Sequence, residues 1–98
     1  MSGQIRIVAI FEAKPGEEAA LAAGASLCAT HTLKDDGRLE YTPNKDISDA
    51  GRIVFIETWA SQAALDAHMK TDHFKEFLGV VDRSAKPGWV VHTLEPIA

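Results

Sequence analysis

The 98-residue chain has one cysteine, Cys28, so it can form neither an intrachain disulfide nor a cysteine zinc cage. Long apolar runs are missing as well: none approaches the roughly 18 residues that a membrane helix needs. Met1 to Gln4 carry neither a basic stretch nor the start of an apolar one, so no secretory signal is read there. The expectation is a reduced, cytoplasmic protein with no membrane contact. Positive charge is scarce, with 10 basic against 14 acidic residues and a net charge of −4. Nucleic acid is therefore not an expected partner, because it requires a clustered positive field. The chain also lacks Gly-x-Gly-x-x-Gly, a phosphate loop and Gly-x-Ser-x-Gly. With no repeat, low-complexity stretch or linker, residues 1–98 read as a single domain.

What is present is ordinary folded-protein material, 46% hydrophobic and 24% charged. Residues 4–13 hold Ile5, Ile7, Val8, Ile10 and Phe11, the β-branched and aromatic content of a strand. Lys14-Pro15-Gly16 breaks it, and Pro15, Glu17 and Glu18 suit a helix start. Periodicity predicts a helix from Gly16 to about Leu33, with Leu21, Ala25, Cys28 and Thr32 on one face. Small residues on that stripe, and Gly24 beside it, permit close approach to a neighbour. Asp35-Asp36-Gly37 is a turn signal. A second strand is expected over 38–46, at a sheet edge because Pro43 lies within it. A reversal at 48–51 leads to a third strand from Arg52 to Trp59. Ser61 is placed to cap a short helix reaching Lys70, and Thr71-Asp72 to cap another. In the latter Phe74, Phe77, Leu78 and Val81 recur at i, i+3, i+4 and i+7. A loop over 85–88 precedes a last strand from Trp89 to Leu94.

This order, βαββαβ with a split second helix, predicts an α+β, ferredoxin-like fold with a four-stranded antiparallel sheet. Both the first and third strands are apolar on both faces. Ile5, Ile7, Ala9 and Phe11 share one face with Ile53, Phe55, Glu57 and Trp59, while Val8, Ile10, Val54 and Ile56 fall on the other. Helices in so short a chain cover only one face. The second face would be a contiguous apolar patch of a kind that monomers rarely expose. A homodimer is the expected solution; at ~25 cal/mol per Å², each buried side chain would contribute on the order of 1–2 kcal/mol.

The candidate chemistry is sparse. His68 and His73 are five residues apart, a poor spacing for two ligands on one helical face, and no metal site is expected. His68 lies beside the buried stripe of its helix. It is either an edge histidine bonded to a carbonyl or water, or a proton-handling ring facing a cavity. His73 opens the next helix. Trp59 is either core or an aromatic wall for a flat ligand. Glu57 sits between aromatic neighbours, where a carboxylate must find a donor or shift its pKa upward; an ion pair with Arg38 or Lys45 is the expected resolution. Tyr41 and Asn44 can supply polar groups from the second strand, and Cys28 reads as an inert small hydrophobe.

The run Glu57-Thr58-Trp59, then Ala64-Leu65-Asp66-Ala67-His68, then His73-Phe74 resembles the antibiotic biosynthesis monooxygenase (ABM) family, quinol monooxygenases among them. Gly37-Arg38-Leu39-Glu40-Tyr41 is similar to its second strand, and Lys14-Pro15-Gly16 to its first turn. The resemblance implies a dimeric α+β barrel with a pocket between sheet and helices. It further implies oxidation of an electron-rich aromatic, quinol-like or polyphenol-like, by O₂ without metal, flavin or other cofactor. In that reading His68, His73 and Trp59 are the catalytic candidates, and Tyr41, Asn44, Phe55, Glu57, Phe74 and Phe77 hold the substrate. Ala9 and Phe77-Leu78 depart from the haem-degrading branch, as Asn44 departs from the family's second-strand histidine. Two alternatives remain open: an isomerase or tautomerase of a small metabolite, and a non-catalytic dimeric ligand-binding module.

Overall fold

The computed structural model describes residues 3–98. The elements are β1 (Ile5–Glu12), α1 (Glu18–Thr32), β2 (Arg38–Asp46), β3 (Asp49–Trp59), α2 (Gln62–Met69), α3 (Asp72–Ser84) and β4 (Val90–Leu94). The strands form one antiparallel sheet in the order β2-β3-β1-β4. This is the ferredoxin-like βαββαβ architecture. β2 is an edge strand, so the missing N–H of Pro43 costs no central ladder bond. Both short-helix starts are capped as their residue types require. Ser61 Oγ accepts from Ala64 N at 3.1 Å, and Thr71 Oγ1 accepts from Phe74 N at 3.2 Å.

One boundary differs from expectation. The reversal between β2 and β3 falls at Ile47 and Ser48, because Asp46 pairs with Asp49 and β3 begins there. Asp46 Oδ1 accepts from Ser48 N at 2.8 Å, a side-chain turn that competes successfully with the later Gly51 signal.

Strand register sorts the sheet into cross-strand rows. On the helix-covered face run Tyr41–Glu57–Ile7–Thr93 and Pro43–Phe55–Ala9–Val91. On the opposite face run Thr42–Ile56–Val8–His92 and Asn44–Val54–Ile10–Val90. The core lies between the first face and the helices. Phe11, Phe55 and Phe77 meet there at ring-centroid separations of 5.2–5.8 Å, favourable for tilted and edge-on aromatic pairs. The predicted α1 stripe of Leu21, Ala25, Cys28 and Thr32 is fully buried. The helices pack chiefly over β2 and β3, and every residue of β4 is exposed. The sheet is therefore roofed on one side and open along β4.

Gly24 marks the crossing of α1 and α3. A Cβ at this position would come within 2.8 Å of Val80 Cγ1. An alanine would normally gain about 1 kcal/mol of helix propensity, but here the clash offsets it. In a double-mutant cycle read by chemical denaturation, Gly24→Ala gains little or destabilises in the wild-type background. In a Val80→Ala background it recovers about 1 kcal/mol relative to that. Equal effects in the two backgrounds would contradict the close approach.

Candidate active site

Between the covered face and α2–α3 lies a cavity of about 330 Å³, large enough for a small aromatic molecule. Its floor is Ile7, Ala9, Phe55 and Val91, and its roof is Leu65, Met69, Phe74, Phe77 and Leu78. Phe11 and Trp89 close one end, their rings 5.2 Å apart. Glu57 and His68 are the ionisable acid and base among the cavity-lining residues, with Tyr41, Gln62 and Thr93 as the other polar ones.

His68 is only 2% exposed. Its Nδ1 lies 2.7 Å from Asp35 Oδ2, and its Nε2 is buried with no hydrogen-bond partner. Burial pushes its pKa below the ordinary histidine value, against the opposing pull of Asp35. The ring is accordingly neutral near pH 7, with Nδ1–H donating to the carboxylate and a bare lone pair on Nε2. Asp35 receives a second bond: His73 Nε2 donates to the same Oδ2 at 2.9 Å. Burial alone would raise the Asp35 carboxyl, but the His68 and His73 N–H groups outweigh it and hold the group below the usual carboxylate range.

The break between α2 and α3 turns both histidine rings onto this one oxygen, so the five-residue spacing does not separate them. The donor atoms of Asp35, His68 and His73 all lie within 4.8 Å of one another, and with their protons removed they are the described residues best placed to hold a divalent ion. The 2.7 and 2.9 Å separations are themselves N–H···O lengths, which protons satisfy.

Glu57 finds a donor, though not one of the two cations expected. Arg38 and Lys45 stand opposite Trp59 and Ile53 in the ladder, whereas Glu57 stands opposite Tyr41. Its Oε1 instead accepts from Trp59 Nε1 at 2.9 Å. Burial raises the Glu57 pKa to about 7, and the indole N–H only partly offsets that.

The other expected site residues divide into two groups. Phe55, Phe74, Phe77 and Tyr41 line the cavity. The Tyr41 hydroxyl is engaged with Cys28 Sγ at 3.5 Å, and burial drives its pKa upward. The Cys28 thiol is likewise raised by burial, in keeping with an inert side chain.

Of the two readings of Trp59, the structure gives core rather than the wall that the resemblance implies: the ring is fully buried and is not among the cavity-lining residues. It packs behind His68, ring centroids 4.6 Å apart, and clamps Glu57. Asn44 is corrected too. Strand side chains alternate, so a residue three after Tyr41 must face the opposite side. Asn44 Nδ2 donates there to the carbonyls of Thr42 and Val54. His73 lines a surface pocket, bonds Asp35 Oδ2 and sets its ring 5.8 Å from that of His68.

Sequence reasoning missed Asp35, whose partners lie 33 and 38 residues away with no local signal. It also missed Trp89 as a cavity residue, although an aromatic beside Gly88 at the start of a strand was the available clue.

The family comparison agrees with this architecture. The profile of the antibiotic biosynthesis monooxygenase family matches residues 4–79. The chain belongs to that family. Rv0793 of Mycobacterium tuberculosis, whose name assigns it a monooxygenase activity provisionally, is 27% identical over 97 residues, covering 99% of this chain and 95% of that protein. The crystal structure of PA3566 from Pseudomonas aeruginosa superposes with a TM-score of 0.91 at 26% identity, covering 100% of this chain and 98% of the other. SO0527 from Shewanella oneidensis gives a TM-score of 0.89, also at 26% identity, covering 96% and 91%. The ABM chain thus shares its backbone fold with the two solved structures.

The raised Glu57 carboxyl makes stability depend on pH in a defined direction. The folded chain holds its proton more tightly than the unfolded chain does. The stability this group contributes is complete below about 4.5 and declines as pH rises through about 7. Glu57→Gln keeps an acceptor for the indole N–H but cannot ionise. The variant's unfolding free energy should therefore fall less than that of the wild type across this window, the difference being at most ~1.4 kcal/mol per pH unit. Parallel curves would refute the assignment.

Proposed function

We propose that this ABM-family protein is a monooxygenase that oxidises an electron-rich aromatic of the quinol or polyphenol type with O₂, using no bound cofactor. The observation that carries the reading is the buried, unpartnered Nε2 of His68 at an aromatic-lined cavity. A neutral imidazole oriented by a carboxylate is a general base. Its Nε2 would take the proton of a phenolic O–H, forming a phenolate whose ring is rich enough in electrons to reduce O₂. One oxygen atom would enter the ring as a new C–O bond, the other would leave as water, and the substrate would end at the hydroxyquinone level. Glu57, with a pKa near 7, can donate to or accept from a second substrate oxygen. Phe55, Phe74 and Phe77 supply flat apolar contact.

The proposed assembly is a homodimer joined through the uncovered sheet face. Val8, Ile10, Val54 and Ile56 form contiguous rows there, and Ile56 is 44% exposed. Removing this patch from water is the driving force.

The function is tested by O₂ uptake with a panel of quinols and metal-free protein. Uptake with hydroxyquinone formation is expected, with loss of ~10²-fold or more in kcat for His68→Gln. Because the base must be neutral, kcat/KM should fall only as pH drops below 6.5, the ordinary histidine value. No uptake across the panel would overturn the reading, and substrate conversion without uptake would point to an isomerase instead. For the assembly, sedimentation of the wild type should give a dimer and Val54→Lys a monomer. A monomeric wild type would refute the interface.

A further inference from the structure

Strand register gives the cavity a polar end and an apolar end. On its floor the row Glu57–Ile7–Thr93 carries polar groups. Two residues further along β1 comes the row Phe55–Ala9–Val91, and two further again Phe11. From Ile7 to Phe11 the strand advances about 13 Å. His68 stands over the first row, its ring 5.0 Å from that of Tyr41. Phe77 stands over the others, 5.2 Å from Phe55 and 5.5 Å from Phe11. Trp89, the residue before β4, closes the apolar end against Phe11, ring centroids 5.2 Å apart. Phe11 is buried, whereas Trp89 is 44% exposed. Trp89 also lines a smaller hollow of about 130 Å³ outside the cavity, together with Glu12 and Lys86. It therefore stands between an apolar interior and a charged, wet exterior. Among the described residues that line the cavity there is no lysine or arginine. A carboxylate or phosphate taken inside would lose its hydration without gaining a cation.

We propose that Trp89 is a specificity-determining residue: with Phe11 it ends the cavity in an apolar stop, so the site takes an uncharged aromatic with its oxygens at one end, toward Glu57 and His68, and refuses one whose far end is anionic. The inference rests on the reading of this cavity as the substrate site. A ring system lying along β1 sets its hydroxyl end by Glu57 and the unpartnered Nε2 of His68. Its far ring lies beneath Phe77 and against the Phe11–Trp89 pair. An anionic group on that far ring would meet aromatic carbon instead of water. Turned about, the same group would meet the Glu57 carboxyl, again with no lysine or arginine to pair it. Removing the indole changes the far end alone. The stop then opens toward the hollow beside Lys86, where a carboxylate keeps its water.

The test is titration calorimetry with 2-naphthol, 6-isopropyl-2-naphthol and 6-hydroxy-2-naphthoate at pH 7. The two longer probes have the same number of heavy atoms and differ in charge at the far end. The wild type should bind the isopropyl probe about tenfold or more tightly than the naphthoate. In Trp89→Ala that ratio should shrink by about threefold or more, whichever way the separate affinities move. Trp89→Leu should narrow it in the same direction, and serves alone if the alanine variant fails to fold. Exclusion of both longer probes by the wild type, with entry into Trp89→Ala, would support the same stop. In NMR of bound 2-naphthol, Overhauser contacts should join its unsubstituted ring to Trp89 and Phe11, and its hydroxyl-bearing ring to His68. Equal wild-type affinity for the two longer probes would overturn the inference. So would a ratio unmoved by either substitution, the reverse orientation, or no binding of 2-naphthol. Binding with the expected ratio but no O₂ uptake with quinols would sink the oxygenase reading alone.

Discussion

Much of the site's chemistry depends on one oxygen atom. Asp35 Oδ2 receives N–H bonds from two rings that belong to different helices, and this convergence fixes the tautomer of His68. A buried imidazole without such a partner could rotate or exchange its proton between nitrogens, and the cavity would then present a donor as often as an acceptor. The carboxylate thus gives an ambiguous ring a defined acceptor atom, Nε2. It also ties the turn after α1 to the α2–α3 break, so the geometry of the chemistry and the packing of the helices share the same contact.

The cavity's two titratable groups are displaced toward neutrality from opposite sides. Burial lowers His68, whose charged form is the cation, and raises Glu57, whose charged form is the anion. One cause therefore produces a neutral base and a partly neutral acid in the same apolar enclosure. Each is steadied by a group that does not line the cavity: Asp35 behind the histidine and Trp59 behind the glutamate. Trp59 is thereby a brace, with its ring against His68 and Tyr41 and its N–H bonded to Glu57.

Period-two alternation and helical stripes made the fold legible from the residues, because the burial they encode is repeated along each element. The α1 stripe, the apolar β1 and β3 strands and the α3 pattern all report the same inner layer. The site was only partly legible. Phe55, Phe74 and Phe77 announce themselves through that same burial. Asp35 does not, since an Asp-Asp-Gly sequence is sufficient for a turn and its second role arises only when distant helices arrive. The amide of Asn44 suggests a pocket residue, but strand parity turns it to the other face. Glu57 was given cationic partners two strand positions or more away, when the nearest donor was its own i+2 neighbour on the same face.

Ala9 lies at the centre of the floor row Pro43–Phe55–Ala9–Val91, a methyl group where its neighbours carry larger side chains. Its small side chain leaves room above the sheet at this point. Each added carbon at residue 9 would take volume from the cavity without touching the strand ladder, which is made by the backbone. The size of what the cavity can hold is therefore separable from the ionisable groups that line it, and a single codon could retune the one while the other stays as it is.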